Sequence, residues 1–467
     1  MATTLNDDAF RRPDFASTQE VIHRDGRPVP PVFELEQPAF LGDADVSFDR
    51  YISQDFFDRE MAHLWPKVWQ WACREEQIPE PGDYYVYEVG HHSVIVLRDD
   101  EGQVRAYINS CLHRGTKFRP GHSDGSATEL RCPFHGWTWS LDGQLSRVPC
   151  AWDAPHIKER DFRLPEVKVG LWGGFVFINM DPEAGAFEDY IAPLPEHFAN
   201  FDMAGRFIEI HIEKELYCNW KAAKEAFIEN YHTQETHPEL MNASYDEPTQ
   251  YDVFSDHVSR FFCAFGVSSP HLKQPLSEQQ LIETMLVGDR DRLIGDLAIQ
   301  PGETARTVMA RMLRKVLTET YHADFSRYAD TELIDVSQYG LFPNMILYPQ
   351  LTLPVAYRFR PIGNDPNRSL FELVMLRQVP DDGPRPEPAQ PFRLKEEDSF
   401  TTAPGFDPNL GYVFDQDTGN VRAQQEGFHA SRKGAQTLLN YQEVRVRHLE
   451  QTVDKYLARG AAGVRTS

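Results

Sequence analysis

The sequence predicts an α+β protein in which a small all-β domain precedes a larger domain of helices around an antiparallel sheet. Two observations predict this. Residues 79–110 contain short runs of alternating apolar and polar residues, separated by Pro-Gly and Asp-Glu-Gly turns. Beyond residue 186, segments with helical spacing of apolar residues alternate with strand-like segments. A chain of 467 residues is long enough for more than one domain.

The predicted elements follow in chain order. Residues 1–45, rich in Pro and Asp, predict an extended arm on the larger domain, which spans 186–467, and residues 46–185 predict the small domain. Within the larger domain we expect strands at 206–218, 345–363 and 368–379, a Pro-rich loop at 380–391, and helices at 219–234, 277–289, 305–322 and 434–458.

Composition and charge exclude several classes of protein. The hydrophobic fraction of 41% and charged fraction of 25% are ordinary for a globular protein, which excludes a disordered or fibrous chain. The net charge of −24 argues against a nucleic-acid or anionic membrane surface. The sequence shows no secretory signal and no membrane-spanning apolar run, so we expect a cytoplasmic protein. Six cysteines in such a compartment favour metal ligands or buried thiols over disulfides.

Two thiol–imidazole pairs make up the first metal-binding pattern. Cys111-x-His113 is followed by Cys132-x-x-His135. Two thiolates and two imidazoles could hold zinc or iron, but structural zinc sites usually space their first pair by two to four residues. In a Rieske [2Fe–2S] cluster, the two Cys bind one iron and the two His bind the other. The spacing fits a Rieske cluster, and a zinc-stabilised binding module is the alternative.

A second pattern lies in the helix predicted over residues 219–234 and just beyond it. His232 and His237 are five residues apart, so a helix end or bend must turn both towards one ion. On a continuous helix, Glu225, Glu229 and His232 share one face. Two imidazoles and one carboxylate make up the facial triad of non-haem Fe(II) oxygenases.

Both patterns resemble those of Rieske ring-hydroxylating oxygenases. His113-Arg114-Gly115 and His135-Gly136-Trp137 match that family's cluster motif, and Asn219-Trp220-Lys221 with Glu229-x-Tyr-His232-x4-His237 matches its iron motif. The resemblance implies a terminal oxygenase α subunit with a Rieske [2Fe–2S] cluster on Cys111, His113, Cys132 and His135, and a mononuclear Fe(II) on His232, His237 and a carboxylate near the C-terminus. We expect that carboxylate to be Asp417, with Asp415 as the alternative, in residues 414–427 before a Gln/Gly-rich turn.

Glu229 departs from the family pattern, where an Asp usually stands three residues before the first His. The resemblance implies that this carboxylate links the iron site to the neighbouring subunit's cluster. Glu at this position is similar to the branch that contains quaternary-ammonium monooxygenases. The family implies an apolar aromatic or polycyclic substrate for mono- or dioxygenation, and an N- or O-dealkylating or quaternary-ammonium monooxygenase is the alternative. We expect an apolar pocket, with these side chains as candidates for its lining: Phe254, Phe261, Phe262 and Phe265.

The sequence contains no dinucleotide-binding glycine motif and no ferredoxin-type Cys cluster. Electrons from NAD(P)H would therefore come through a separate reductase, with or without a ferredoxin. The family implies a homotrimer, with or without β subunits. A Rieske electron-transfer protein without oxygenase activity is an alternative of another class, and it would hold two irons per chain rather than three.

Overall fold

The computed structural model describes residues 11–285, 297–380 and 383–463. The first ten residues of the predicted arm, residues 286–289 of a predicted helix, residues 381–382 of the Pro-rich loop and residues 464–467 lie outside the described residues.

Twenty strands lie in the described part of the chain: β1 (Val46–Ser47), β2 (Gln70–Arg74), β3 (Asp83–Val89), β4 (His92–Arg98), β5 (Val104–Ile108), β6 (Asp124–Ser126), β7 (Leu130–Arg131), β8 (Thr138–Trp139), β9 (Leu145–Arg147), β10 (Glu166–Trp172), β11 (Phe175–Asn179), β12 (Arg206–Leu216), β13 (Gln250–Val253), β14 (Val258–Cys263), β15 (Val336–Leu341), β16 (Met345–Leu347), β17 (Val355–Pro361), β18 (Ser369–Gln378), β19 (Phe392–Leu394) and β20 (Ala435–Gln436).

The described α-helices are α1 (Thr18–Ile22), α2 (Pro31–Glu34), α3 (Asp49–Ile52), α4 (Gln54–His63), α5 (Phe187–Ile191), α6 (Leu194–His197), α7 (Trp220–Glu225), α8 (Thr233–Thr236), α9 (Glu278–Met285), α10 (Ala305–Tyr321), α11 (Asp330–Ile334), α12 (Pro408–Ala430) and α13 (Val444–Gly463). Short 3-10 turns lie at Trp65–Lys67, Glu75–Gln77, Ala151–Asp153, Pro155–Glu159, Leu240–Asn242 and Phe400–Thr402. In the part of the chain that the structure describes, none of these helices combines the length and apolar character needed to cross a bilayer.

The first unit is all-β. Its main sheet has the strand order β2-β11-β10-β5-β4-β3-β6, and a second sheet of β7, β8 and β9 lies beside it. Val86, Ile95, Leu97, Tyr107 and Trp139 pack between the strands as its core. The loops before β6 and before β8 carry the two thiol–imidazole pairs.

The second unit is built on an eight-stranded sheet with the order β13-β14-β15-β16-β17-β18-β12-β19. Neighbouring strands are antiparallel, except that β19 runs parallel to β12. Helix α7 packs on β17 and β18, α12 packs on α7 and β12, and α10 packs against α9 and α11. A small β-domain followed by a sheet with surrounding helices confirms the predicted α+β fold class.

Buried charged side chains join the two units. Arg358 of β17 donates through Nη1 to the carbonyl oxygens of Trp71 and Ala72, at 2.7 and 2.6 Å. Glu372 of β18 accepts from Arg358 and, at 2.9 Å, from Arg360. Because these charges are paired and hydrogen-bonded, their burial is tolerated, and removing one partner would leave an uncompensated charge.

The segment 46–63, which we predict within the small domain, packs on the second unit. Strand β1 pairs with β20, and α4 lies against α13. The fully buried Glu60 accepts from Lys221 Nζ at 2.6 Å and from Trp220 Nε1 at 3.2 Å. The arm also contacts this unit, since Val253 donates its amide to the Gln37 carbonyl at 2.9 Å.

The single helix predicted over 219–234 is wrong. The Asn219 side chain caps α7, which ends at Glu225, and α8 begins only at Thr233. Backbone groups in between bind tertiary partners instead of each other: the Phe227 carbonyl accepts from Gln338, and the Asn230 amide donates to the Tyr251 hydroxyl. Consequently Glu225, Glu229 and His232 do not share a helical face.

Two further boundaries differ from the prediction. The helix predicted over 434–458 begins at Val444, because residues 435–436 pair with β1 as β20. Residues 414–427, where we expected a Gln/Gly-rich turn, lie within the 23-residue helix α12.

Candidate metal centres

The two thiol–imidazole pairs lie on two turns with the same hydrogen bonds. The carbonyl of Cys111 accepts from the Gly115 amide at 2.9 Å, and that of Cys132 accepts from the Gly136 amide at 3.1 Å. Each cysteine amide donates to the carbonyl of the residue after the glycine. The glycines have φ values of +78° and +71°, which L side chains rarely adopt. Glycine therefore lets each turn bring its Cys and His to the same side.

The two turns bring side chains of the two pairs close together. The rings of His113 and His135 are 4.7 Å apart, and the buried Nδ1 of His135 has no hydrogen-bond partner. Burial raises the pKa of the Cys111 thiol; the His113 amide opposes this rise, and the Cys132 thiol adds to it. Two adjacent thiols and an unpartnered imidazole nitrogen are a donor set that fits a [2Fe–2S] cluster.

The second centre forms around the one-turn helix α8. His232 precedes this helix and His237 follows it, so one turn brings the two imidazoles together with ring centroids 5.2 Å apart. Asp417 reaches them from α12: its Oδ1 lies 2.7 Å from His237 Nε2 and 3.3 Å from His232 Nε2. All three ligand atoms lie within 4.8 Å of one another, so these residues could hold one metal ion.

The other nitrogen of each imidazole has its own acceptor. His232 Nδ1 lies 2.5 Å from Glu229 Oε1, and His237 Nδ1 lies 2.8 Å from Gln416 Oε1. If each Nδ1 donates to these oxygens, each Nε2 presents its lone pair, which is the tautomer that a metal needs. Glu229 also accepts from the amides of Tyr231 and His232. Sequence reasoning missed Gln416, and its only signal is its position next to Asp417.

The charges of this centre balance one another. Burial favours a neutral ring for His232, but Glu229 and Asp417 outweigh it and raise its pKa to about 10. Burial disfavours the Asp417 carboxylate, yet hydrogen bonds from His232 and His237 leave its pKa below the usual value. A divalent ion bound here would take the place of protons on the imidazoles.

Asp415 points elsewhere. Two residues along a helix differ by about 200° in direction, so Asp415 and Asp417 face opposite sides of α12. Asp415 accepts from the Phe400 amide at 3.0 Å and from the Ser399 hydroxyl at 2.5 Å. Of the two carboxylates that we considered, only Asp417 meets the imidazoles.

An aromatic cluster packs against α12 one turn before Asp417. Phe414 lies in the centre, with its ring centroid 5.4 Å from Tyr357, 5.4 Å from Phe400 and 5.9 Å from Phe227. Tyr357 is buried, as are the phenylalanines around it. Apolar and aromatic side chains therefore line the side of α12 that leads to the candidate metal centre.

The four phenylalanines proposed for the pocket do not form one wall. Phe261 and Phe262 are adjacent on β14 and point to opposite faces of the sheet. Phe262 and Phe254 pack in one hydrophobic cluster, Phe261 in a second and Phe265 in a third. The expectation fails because an alternating strand distributes its neighbours between two faces.

A second group of ligand-type side chains has a different role. His211, Glu213 and Glu372 are buried close together. Both carboxylate oxygens of Glu372 accept from Arg358, at 2.6 and 2.7 Å, and one accepts from Arg360. Guanidinium groups thus stand where a metal ion would need to be.

Comparisons with known proteins agree with the two units. A Rieske [2Fe-2S] domain model matches residues 68–158, and the model of the ring hydroxylating alpha subunit (catalytic domain) matches residues 201–459.

The names of the curated relatives refer to different substrates. The glycine betaine monooxygenase oxygenase subunit of Pseudomonas aeruginosa is 28% identical over 252 residues, which cover 50% of this chain and 58% of that protein. The large oxygenase component of salicylate 5-hydroxylase from Ralstonia sp is 32% identical over 219 residues, 43% of this chain and 51% of that protein. The carnitine monooxygenase oxygenase subunit of Acinetobacter pittii is 30% identical over 40% of this chain and 51% of that protein. The chain spans about half the length of the curated relatives it matches.

Solved structures share the fold at low identity. A quaternary ammonium Rieske monooxygenase with a bound inhibitor has a TM-score of 0.59 and 17% identity, covering 92% of this chain and 99% of that chain. Naphthalene 1,2-dioxygenase with bound phenanthrene has a TM-score of 0.63 and 17% identity, covering 90% of this chain and 94% of that chain. Since the catalytic-domain match alone spans more than half of the sequence, this chain belongs to the α-subunit family of Rieske ring-hydroxylating oxygenases.

Proposed function

We propose that the chain is the terminal oxygenase component of a Rieske system, which uses O2 and relayed electrons to oxygenate a small organic substrate. One observation carries the proposal. The Nε2 atoms of His232 and His237 converge on Asp417, while Glu229 and Gln416 hold both Nδ1 atoms. Two oriented imidazoles and one carboxylate leave coordination positions free for O2, as the facial triad requires.

In this proposal the cluster ligands are Cys111, His113, Cys132 and His135, and the iron ligands are His232, His237 and Asp417. A ferrous ion at the second site supplies the binding and activation of O2. The chain's own groups orient the ligands, because Glu229 and Gln416 fix the imidazole tautomers.

Electrons come from NAD(P)H through a separate reductase, with or without a ferredoxin, because the sequence offers no dinucleotide-binding motif. We propose a homotrimer in which the cluster of one subunit serves the iron of its neighbour, with Glu229 between them as a positioning residue, and with or without β subunits. The cytoplasm is the compartment that suits the six free cysteines.

For the substrate, we propose a quaternary ammonium compound that loses an alkyl group after hydroxylation of the carbon next to nitrogen. Aromatic faces attract cations, and an aromatic cluster flanks the helix that carries Asp417. The names of the glycine betaine and carnitine monooxygenases support this class, as does Glu229 in place of the family's usual Asp.

An apolar aromatic or polycyclic compound is the second candidate. The same aromatic cluster suits a flat apolar ring through stacking and exclusion of water. The relative named salicylate 5-hydroxylase supports an aromatic substrate. The two candidates differ in the charge that the site must recognise.

A single-turnover experiment with labelled O2 tests the function and separates the substrates. The protein, with its cluster and iron reduced anaerobically, is mixed with glycine betaine, with the neutral-carbon isostere 3,3-dimethylbutanoate, or with salicylate, and products are identified by mass spectrometry. Conversion of glycine betaine to an aldehyde and a tertiary-amine product, with the isostere unreacted, supports the quaternary-ammonium proposal. A hydroxylated ring with label from O2 supports the aromatic candidate.

Iron content decides between an oxygenase and an electron carrier. Three irons per chain and a red-brown colour fit the oxygenase. Two irons and no product from any substrate would leave a Rieske electron-transfer protein, and a colourless zinc protein would overturn both readings.

A further inference from the structure

A small cavity lies between α7, β14, β15 and α13. Its lining includes Lys224, Ser259, Gly340, Arg445 and His448. The cavity volume is about 10 Å³, which is room for one water-sized occupant.

Two buried basic side chains face this cavity. Lys224 and Arg445 are only 3% and 1% exposed. Lys224 Nζ donates to a backbone carbonyl at 2.8 Å, and Arg445 Nη1 donates to the Ile228 carbonyl at 3.0 Å and to Gln338 at 2.8 Å. The buried Nη2 of Arg445 has no hydrogen-bond partner. Arg445 Nε donates to the Ser259 hydroxyl at 3.1 Å, and no carboxylate pairs with Arg445 or Lys224 among the residues that the structure describes.

Burial of unpaired charge is unfavourable in a low-dielectric interior. Burial lowers the pKa of Lys224, and the charge of Arg445 lowers it further. Burial lowers the pKa of Arg445 to about 10, so the guanidinium stays charged at neutral pH. The cavity therefore contains positive charge with at least one unsatisfied donor.

The other titratable groups around the cavity do not supply a counter-charge. Burial lowers the pKa values of His257 and His448 to about 4, so both rings are neutral at neutral pH. Neither ring cancels the charge of Lys224 or of Arg445.

Three carboxylates lie near these groups, and each is already bound elsewhere. Glu225 accepts from a tyrosine hydroxyl at 2.9 Å. Asp252 pairs with Arg260 at 2.7 Å, and Asp256 pairs with Lys455 at 2.5 Å. The described part of the chain therefore leaves the charge of Arg445 without a paired carboxylate.

We propose that the cavity binds one small monatomic anion, which is chloride in ordinary buffers. The small volume favours a single atom over sulfate, phosphate or a carboxylate, and a neutral water would satisfy the free donor without balancing the charge of Arg445. Arg445 holds the carbonyl of Ile228, one residue before Glu229. The anion thus stabilises the segment that leads into the candidate iron site.

Crystals of the holoenzyme grown with bromide in place of chloride test the site directly. Diffraction data at the bromine absorption edge are expected to show one anomalous peak between Lys224 and Arg445. Back-exchange into chloride is expected to remove it. Density of a water without an anomalous signal in bromide would overturn the proposal, because it would mean that Lys224 is neutral.

Thermal unfolding gives an independent readout in solution. At constant ionic strength, replacing gluconate by chloride is expected to raise Tm saturably, by about 2 °C or more, because the ion binds only the folded state. Lys224→Met is expected to lose this dependence on chloride, because it removes a basic side chain that lines the cavity. The control Lys395→Met, which removes an exposed cation that does not line the cavity, retains it. Equal Tm values for wild type in both salts would contradict the proposal.

Discussion

The two metal centres gather their ligands in different ways. The cluster ligands come from 25 residues, 111–135, on two turns whose hydrogen bonds are internal to each turn. In the iron site, His237 and Asp417 are 180 residues apart and meet only because the tertiary fold brings α12 beside the residues that flank α8. The cluster geometry is local, whereas the iron geometry depends on the tertiary structure.

The largest effect is expected when the carboxylate ligand of the iron site is removed. Asp417→Ala is expected to lose the mononuclear iron, because two imidazoles remain from a three-ligand set. Turnover should fall by more than about 100-fold, because losing a residue that only hydrogen-bonds a metal ligand already costs up to that much. Metal analysis should show two irons per chain instead of three, with the visible spectrum of the cluster unchanged.

Asp415→Ala is the matched control on the same helix. Its carboxylate binds Ser399 and Phe400 rather than the imidazoles, so three irons should remain while Tm falls. Loss of iron from Asp415→Ala with retention in Asp417→Ala would reverse the assignment.

The next largest effect is expected at the residues that accept hydrogen bonds from the imidazole Nδ1 atoms. Glu229→Gln and Gln416→Leu each weaken the acceptor that orients an imidazole, and a 10–100-fold loss of iron affinity is expected. Glu229→Gln should also lower the affinity through lost charge, because the carboxylate attracts the cation. Iron affinity is measured by competition with a chelator. If both variants bound iron as tightly as wild type, these hydrogen bonds would not orient the ligands.

This contrast also explains what the sequence could predict. The two turns could be predicted because Cys, His and Gly at fixed spacing determine them locally. The spacing of His232 and His237 required a helix end, but the residue at which the helix ends could not be predicted from the sequence. Gln338 and Tyr251, which are distant in sequence, bind the backbone between α7 and α8. For the same reason Asp417 could be chosen over Asp415 only by resemblance, and Gln416 was not found.

A smaller effect tests the local character of the cluster turns. Gly136 has a φ of +71°, and a Cβ there would meet nothing closer than 3.6 Å. Gly136→Ala should therefore strain the backbone without a clash, at about 1–2 kcal/mol of unfolding free energy. Denaturant unfolding measures the change, with the visible spectrum as a second readout of the cluster. A variant as stable as wild type would show that the turn does not need glycine.

The smallest expected effect has the opposite sign and lies on the helix of the iron site. Gly427 is exposed on α12, and a Cβ there would meet nothing within 4 Å. Gly427→Ala should raise the free energy of unfolding by about 0.5–1 kcal/mol, because alanine loses less backbone entropy in a helix. Iron content and turnover should not change, since the substitution lies more than two turns from Asp417. Opposite signs for the same Gly→Ala change would confirm that the cluster depends on local backbone conformation, whereas α12 tolerates a more rigid backbone as long as Asp417 reaches the imidazoles. A destabilising Gly427→Ala would mean that the end of α12 must bend to bring Asp417 to the imidazoles.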